Sequence, residues 1–293
     1  MTREQKLKKA GASSSSTLER SWLSKVAAAP HIVWSILFIV APLMFVAYFA
    51  FTDPKGNLTI VNIEGLTAYG KTFLLSVLFS LIATVVCILI GYPLAYFLAR
   101  LSPRKQKIMV LLLMLPMWIS LLIRTYSLMA LLDNGGIISS FLVSLGFEKL
   151  EFIGTGGAVI LGMVYDYLPY MVLPIYTTIS KIDNRYLEAA SDLGCNSWHT
   201  LSKVVFPLSV PGIVSGITMV FVPSISTFYI SQKLGGGAFD LIGDTIERQF
   251  QNKLTYHTGA AISLVMMVLI LISLAVMNKF SDKSDSDGGK IIV

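Results

Sequence analysis

Long apolar segments constrain the fold of this 293-residue chain more than any other feature. Crossing the hydrocarbon core of a bilayer takes about 20 consecutive apolar residues, and six stretches reach that length. Lipid offers no partner to exposed backbone polar groups, so only helices or closed barrels cross it, and these stretches are too long for strands. The predicted spans are Ile32–Phe51, Thr72–Ala99, Ile108–Leu132, Thr155–Ser180, Leu208–Ser231 and Thr258–Asn278.

Charged residues are scarce, and their distribution predicts the orientation of the chain. They make up 14% of the sequence, against about 25% in soluble proteins. Of the 23 Lys and Arg residues, 16 lie in the two tails, after the second span or between the fourth and fifth; six lie in the other connections, and Arg124 lies within a span. Basic residues favour the cytoplasmic side, so both termini are expected there. The net charge of +6 then reflects membrane topology, with lipid rather than nucleic acid as the expected partner.

The spans divide the chain into a membrane domain and two tails. Residues 1–29 are an expected cytosolic N-terminal tail, residues 30–280 an all-α domain of six membrane helices, and residues 281–293 a cytosolic C-terminal tail. No convincing cleavage site follows the first span, which is expected to stay as a membrane anchor. Prolines within or at the start of spans remove backbone donors and bend their helices. They are Pro42, Pro93, Pro116, Pro169, Pro174, Pro211 and Pro223.

The connection between the fourth and fifth spans, residues 181–207, predicts a helix, a tight turn and a second helix. Asp183 or Asn184 is suited to cap the first helix, because its side chain accepts free backbone amides of the first turn. Gly194 is suited to end that helix, since glycine accepts the left-handed conformation of a reversal. Asn196 or Ser197 is suited to cap the second helix, and Pro207 is expected to disturb it.

The first helix of this connection is amphipathic. Arg185, Glu188 and Asp192 fall on one face, whereas Ala189 and Ala190 lie on the other and keep it slim enough for a partner groove to approach closely. From these residues alone, docking to a second protein and lying flat on the membrane are about equally expected.

The order of residues in this connection resembles the EAA loop of the membrane subunits of ABC importers. Glu188-Ala189-Ala190, Gly194 and Pro207 match the family pattern, while Val204 and Phe206 replace the usual Ile and Leu. The resemblance implies a type I ABC importer permease in a prokaryotic inner membrane, whose loop docks on a separate ATPase. The residues implied to couple to it are Glu188, Ala189, Ala190, Asp192 and Gly194.

ATP binding is expected in a partner subunit, because the sequence contains no G-x4-G-K-[ST] phosphate loop. The chain therefore carries no catalytic residue, cofactor or metal of its own in this interpretation; ATP and magnesium belong to the ATPase. It also lacks G-x-S-x-G, H-E-x-x-H and clustered metal ligands, which leaves little support for a membrane enzyme. A passive channel would not explain the EAA loop.

Further segments are similar to the PotB-type permeases of spermidine/putrescine importers, and this similarity covers nearly all of residues 30–280. They are Ile123–Tyr126, Leu168–Pro174, Phe228–Ile230 and Leu241–Gly243. The resemblance implies a PotA-like ATPase dimer, a PotC-like second permease and a PotD-like solute-binding protein as partners. Related permeases for iron, sulfate, molybdate or phosphonate share the EAA loop and remain the alternative.

Polyamine chemistry partly agrees with this interpretation, because carboxylates and aromatic faces attract ammonium groups. The candidate pathway residues are Asp166, Tyr165, Tyr170, Phe228, Tyr229 and Trp118. An acid within the membrane is a functional candidate by default. Asp166 and Arg124 lie at similar depths in antiparallel spans, however, so they are also expected to be able to form a buried pair. Arg124 would then be a structural or gating group; in an anion importer it would be a ligand.

The external segment Gln232–His257 carries three acids at helical spacing. Asp240, Asp244 and Glu247 are suited to seat a solute-binding protein or to guide cations inward. An ordinary solvated face is the equally weighted alternative.

Overall fold

The computed structural model describes residues 29–146, 151–252 and 254–288. Of the predicted tails, residues 1–28 lie outside the described part, and residues 281–288 continue the last helix. We number the helices in chain order. They are α1 Ala29–Ala50, α2 Val61–Glu64, α3 Gly70–Ala99, α4 Pro103–Trp118, α5 Leu121–Leu132, α6 Ile137–Ser144, α7 Gly156–Ile179, α8 Asn184–Asp192, α9 Ser197–Ile225, α10 Tyr229–Leu234, α11 Ile242–Gln251 and α12 Tyr256–Gly288.

The described helices confirm the membrane class and four of the predicted spans closely. Five helices are long and apolar enough to cross a bilayer, and a bent pair makes a sixth. The α7 helix begins at Gly156, where the Thr155 hydroxyl accepts the backbone amide of Ala158 at 3.2 Å. Apolar side chains of α1 and α4 are widely exposed, as expected of surfaces that face lipid or another membrane subunit.

The third predicted span, Ile108–Leu132, is wrong as a single helix. The chain forms α4 and α5, and the segments Pro103–Trp118 and Leu121–Phe141 meet at a bend of 94°. Ile119 and Ser120 have extended backbones between them. Pro116 lies within α4, three residues before the break, and the helix continues past it to Trp118.

The fifth predicted span, Leu208–Ser231, is wrong at its outer end. The helix α9 stops at Ile225, and the separate short helix α10 begins at Tyr229. The Ser226 hydroxyl donates back to the carbonyl of Pro223 at 3.2 Å, which competes with helix continuation. The carbonyls left at the break lie against Gly243, where a Cβ would come within 2.5 Å of the Thr227 oxygen, so only glycine permits this approach.

The core of the membrane domain is the packing of α7 between α3 and α9. Cys87 of α3 and Met171 and Val172 of α7 are completely buried. Close approach depends on small residues, as is usual between membrane helices. A Cβ at Gly216 of α9 would lie 3.1 Å from the backbone oxygen of Met171. The connection between α7 and α9 lies at one end of this three-helix core, and the buried Asp166 lies near the middle of α7.

Candidate functional site

The first helix of the connection, α8, is capped as the sequence predicts. Asp183 is the cap, and its side chain accepts the backbone amide of Arg185 at 3.0 Å. The helix ends at Asp192, and Gly194 follows with φ +77°. The amide of Cys195 donates to the Ala190 carbonyl at 3.0 Å, which closes the reversal. The left-handed glycine predicted from the sequence is thereby confirmed.

The second helix of the connection does not end before the membrane. Asn196 caps it by accepting the amide of His199 at 2.8 Å. It passes through a π-turn at Leu201–Val205 and continues as the membrane-spanning part of α9. Pro207 cannot donate to the carbonyl four residues earlier, and Phe206 donates to Leu201 in the wider π pattern. The disturbance at Pro207 is thus a local widening within one continuous helix.

The exposed surface of this connection differs from the predicted one. Glu188, Ala189, Asp192 and Gly194 are exposed, as a docking surface requires, but Ala190 is buried at 6% exposure. The prediction of two alanines on a slim outer face is therefore wrong for Ala190. Its small size serves packing of α8 against its own chain.

Two apolar side chains beside the turn were missed by the sequence reasoning. Leu193 is 85% exposed and Trp198 is 71% exposed, on either side of Gly194. Large exposed apolar groups mark a surface for another protein or for the membrane. Their position next to Gly194, which ends the helix, is the sequence signal that could have identified them as surface residues.

The buried ion pair between α5 and α7 joins Arg124 to Asp166. Their Nη1 and Oδ1 atoms are 3.0 Å apart, and the two side chains are 5% and 1% exposed. Arg124 Nη1 also donates to the backbone oxygen of Asp166 at 3.2 Å, and the Thr125 hydroxyl donates to Asp166 Oδ2 at 3.3 Å. The pairing expected from the similar depths of the two residues is present. Thr125, which the sequence reasoning did not select, adds a hydrogen bond to the pair, while the buried Arg124 Nε and Asp166 Oδ1 have no hydrogen-bond partner in the described part of the chain.

The other candidate pathway residues lie at different places in the described part of the chain. Tyr170 lines a cavity of about 500 Å³ between α7 and α9. Phe228 lines a different cavity, of about 490 Å³, near α11. Tyr165 and Trp118 lie on the surface of the helix bundle, at 42% and 70% exposure.

Tyr229 belongs to an aromatic cluster that holds a positive charge. Its ring and that of Tyr126 meet edge to face, with centroids 5.7 Å apart. The ammonium of Lys233 lies 5.2 Å from the Tyr126 centroid and 5.6 Å from that of Tyr229. These distances are in the range of cation–π attraction. Tyr126 and Lys233 were not among the predicted residues, because helix α5 meets α10 only in the folded chain.

Comparison with known proteins identifies a matching family and similar proteins of known name. The model of the binding-protein-dependent transport system inner membrane component matches residues 91–284. The spermidine/putrescine transport system permease protein PotB of Haemophilus influenzae is 35% identical over 256 residues, covering 84% of this chain and 90% of that protein. PotB of Escherichia coli K12 is 35% identical over 253 residues, covering 83% and 92%.

A solved structure shares the fold. It is a bacterial alginate ABC transporter in complex with an alginate pentasaccharide-bound periplasmic protein; one chain matches with a TM-score of 0.71 and 18% identity, covering 92% of this chain and 96% of that chain. The fold is therefore that of a type I ABC importer permease, as expected. This chain belongs to the family of binding-protein-dependent transport system inner membrane components: it is a multi-pass permease of an ABC importer, not an enzyme, and works with ATPase subunits and a solute-binding protein.

Proposed function

We propose that this chain is one of two permeases of an importer for spermidine, putrescine or a related linear polyamine, and forms half of the translocation pathway. The observation that carries the proposal is the 35% identity to PotB over 90% of that relative. For an importer of anions such as sulfate, molybdate or phosphonate, Arg124 would have to be a ligand. In this structure Arg124 is buried against Asp166 and is not free to be that ligand.

The aromatic cluster supports an ammonium substrate on chemical grounds. Tyr126 and Tyr229 already attract the ammonium of Lys233, and a polyamine offers several groups of the same kind. Each cation–π contact contributes roughly 0.5–2 kcal/mol. Tyr170 and Phe228 would add apolar and aromatic walls for the methylene segments. Tyr165 and Trp118 would line the pathway from the exposed surface that faces the second permease.

The proposed assembly follows the family. Two PotA-like ATPase subunits bind ATP and magnesium in the cytoplasm, a PotC-like permease completes the pathway, and a PotD-like protein delivers the polyamine outside. Both termini and the connection 181–207 are on the cytoplasmic side, where most Lys and Arg residues lie. Residues 30–280 are the membrane domain, and residues 1–29 and 281–293 are cytosolic tails.

The connection between α7 and α9 is proposed to couple ATP hydrolysis to the membrane helices. Glu188, Ala189, Asp192 and Gly194 present the surface for the ATPase, with Leu193 and Trp198 as apolar contacts. Ala190 fixes α8 against its own chain. The helix α9 begins after its cap Asn196 in the loop and continues through the membrane. Displacement of the loop by the ATPase would therefore reach the packed core through this one helix.

The ion pair is proposed to be a structural or gating contact. Arg124 and Asp166 connect α5 to α7 just beyond the 94° bend, so they would set the position of α5 relative to α7. Asp166 would then sense substrate through Arg124 and the neighbouring Tyr126, because its own carboxylate is 99% buried.

The first test is transport. Cells that lack polyamine uptake receive the complete importer with or without this chain, and uptake of labelled spermidine, putrescine and sulfate is measured. Uptake of spermidine or putrescine should require this chain, whereas sulfate uptake should not change. Chain-dependent uptake of sulfate without polyamine uptake would contradict the proposal.

The second test uses two glycines with the same backbone conformation. Gly194 and Gly56 have φ +77° and +84° and open space around them, so Gly194→Val and Gly56→Val impose similar strain, on the order of 1–3 kcal/mol. Only Gly194→Val should reduce co-purification of the ATPase and lower uptake, by about tenfold or more. Glu188→Lys should have the same effect by reversing a charge on the docking surface. Normal uptake in both Gly194→Val and Glu188→Lys would rule out docking through this loop.

The third test separates the two roles of the buried pair. Asp166→Asn leaves Arg124 buried without its partner and should destabilise the importer by about 3–5 kcal/mol, whereas adding Arg124→Gln should largely restore stability. Stability is followed by thermal unfolding of the assembled importer in nanodiscs. Asp240→Asn, which breaks the exposed pair with Arg248, is the control and should cost less than about 1 kcal/mol.

A substrate ligand would behave differently in the same experiment. Asp166→Asn would then keep its stability but lose polyamine-stimulated ATPase activity, and Arg124→Gln would not restore that activity. Wild-type stability and uptake in Asp166→Asn alone would contradict both roles.

A further inference from the structure

The ammonium of Lys233 lies against two tyrosine side chains at the end of the helix bundle opposite the connection 181–207. The carbonyl of Leu234 accepts the backbone amide of Gly154 at 2.8 Å, so α10 ends beside the start of α7. Leu234 is completely buried and fixes α10 in place. Tyr229 and Lys233 are four residues apart in α10 and therefore lie on one face of it, where both are half-buried.

The acids of the external segment do not supply a partner for Lys233. Asp240 pairs with Arg248 at 2.7 Å. Asp244 is 3% exposed, so the alternative of a solvated face is wrong for it, and its carboxylate accepts the amide of the residue that caps its own helix. Glu247 accepts hydrogen bonds from two glutamine side chains. None of the ion pairs among the described residues includes Lys233, so the tyrosine rings are its partners there.

An ammonium held by aromatic faces is exchangeable. The attraction joins a positive charge to the ring quadrupole, so an incoming ammonium can replace the lysine without changing the kind of contact. Tyr126 is 47% exposed, which leaves an approach to the rings open. The ammonium of a lysine is strongly hydrated and ends a flexible four-carbon stem. Lys233 can therefore withdraw into water without a change in its helix.

The covalent tether makes Lys233 a competitor that every incoming amine must displace from the rings. A group on a short flexible tether has an effective concentration roughly in the millimolar range. A monoamine offers the rings one ammonium, as Lys233 does, and gains nothing to offset the displacement. A linear polyamine carries further ammonium groups and methylenes that can contact other walls, such as the adjacent Phe228, which is 41% exposed.

We propose that Lys233 is an exchangeable internal ligand of the Tyr126–Tyr229 pair and is displaced by an ammonium group of the solute. It sets a threshold of affinity: amines with a single ammonium stay below it, whereas polyamines exceed it through their additional contacts. This inference deepens the proposed polyamine function and rests on it for the identity of the solute. Exchange at the rings is testable without transport.

The experiment follows Lys233 directly in the assembled permease and ATPase complex in nanodiscs. Reductive methylation with ¹³C converts lysines to dimethylammonium groups, which keep their charge and give methyl signals in NMR spectra. The Lys233 signal, identified by its loss in Lys233→Met, should be shifted upfield by the tyrosine rings. Putrescine should move it to the position of a solvated lysine such as Lys71, which is exposed at the start of α3. The same concentration of n-butylamine should leave it in place.

Matched variants test the threshold through binding of labelled putrescine, with n-butylamine as its competitor. Lys233→Met should strengthen binding of both amines by the same factor, about fivefold or more, because both displace the same side chain in the wild type. Lys233→Arg keeps the cation and should keep the wild-type affinities. Adding Tyr126→Leu to Lys233→Met should abolish the gain, and Lys71→Met is the control that should change neither affinity. A merely structural lysine would lower thermal stability in Lys233→Met without strengthening binding.

Four outcomes would overturn the inference: a Lys233 signal without the upfield shift, a shifted signal that saturating putrescine leaves in place, equal displacement by n-butylamine, or unchanged amine affinities in Lys233→Met. Tetramethylammonium, whose binding needs aromatic faces and no polyamine carrier, separates the two proposals. If it binds Lys233→Met more tightly than the wild type while polyamine uptake is absent, only the proposed function fails. Polyamine uptake with an immobile Lys233 signal refutes only the exchange.

Discussion

The structure depends on one constraint, which is that hydrocarbon supplies no hydrogen-bond partner for the backbone. Continuous helices satisfy this requirement by themselves, and every interruption needs another solution. At the break after Ile225, the Ser226 hydroxyl and the close approach of Gly243 cover the freed carbonyls. Before Pro207, a π-turn keeps the helix continuous although one donor is missing. The break after Ile225 is therefore covered by a neighbouring segment, whereas Ile119 and Ser120 at the 94° bend are exposed.

Helix existence and capping could be predicted from the sequence because they depend on local chemistry. Apolar length identified the spans, and a glycine between two capping residues identified the reversal at Gly194. The bend at Ile119 and Ser120 could not be placed in this way. Pro116 signals a disturbance, but its size depends on how α5 packs against α7 and α10, which involves residues distant in sequence.

The site residues also differ in whether they could be predicted from local sequence or depend on contacts between distant helices. The Arg124–Asp166 pair was accessible from sequence because two charges at matched depth in antiparallel spans have few other partners. Ala190 was assigned to the wrong face, since periodicity shows which residues share a face but not which face is covered. The Tyr126–Tyr229–Lys233 cluster was missed because its members come from two helices that meet only through the break after α9. Whether Asp166 or the aromatic rings touch solute stays a prediction.

The described helices form a continuous physical connection between the two ends of the permease. Leu193 and Trp198 lie exposed at one end, and α9 leads from there into its packing with α7. The same α7 holds Asp166 and, through Arg124, the bent segment α5. We propose that a force at the loop repositions α5 through these contacts.

We propose that the connection 181–207 is a protein-docking surface and not a membrane-bound segment. Photo-crosslinking groups at Leu193 and Trp198 of the assembled importer in native membranes test it most directly, with one at Leu58, which is 84% exposed in another connection, as the reference. The account predicts crosslinks from both loop positions to the ATPase and none from Leu58. Crosslinks from Leu193 and Trp198 to lipid, with none to the ATPase, would contradict it.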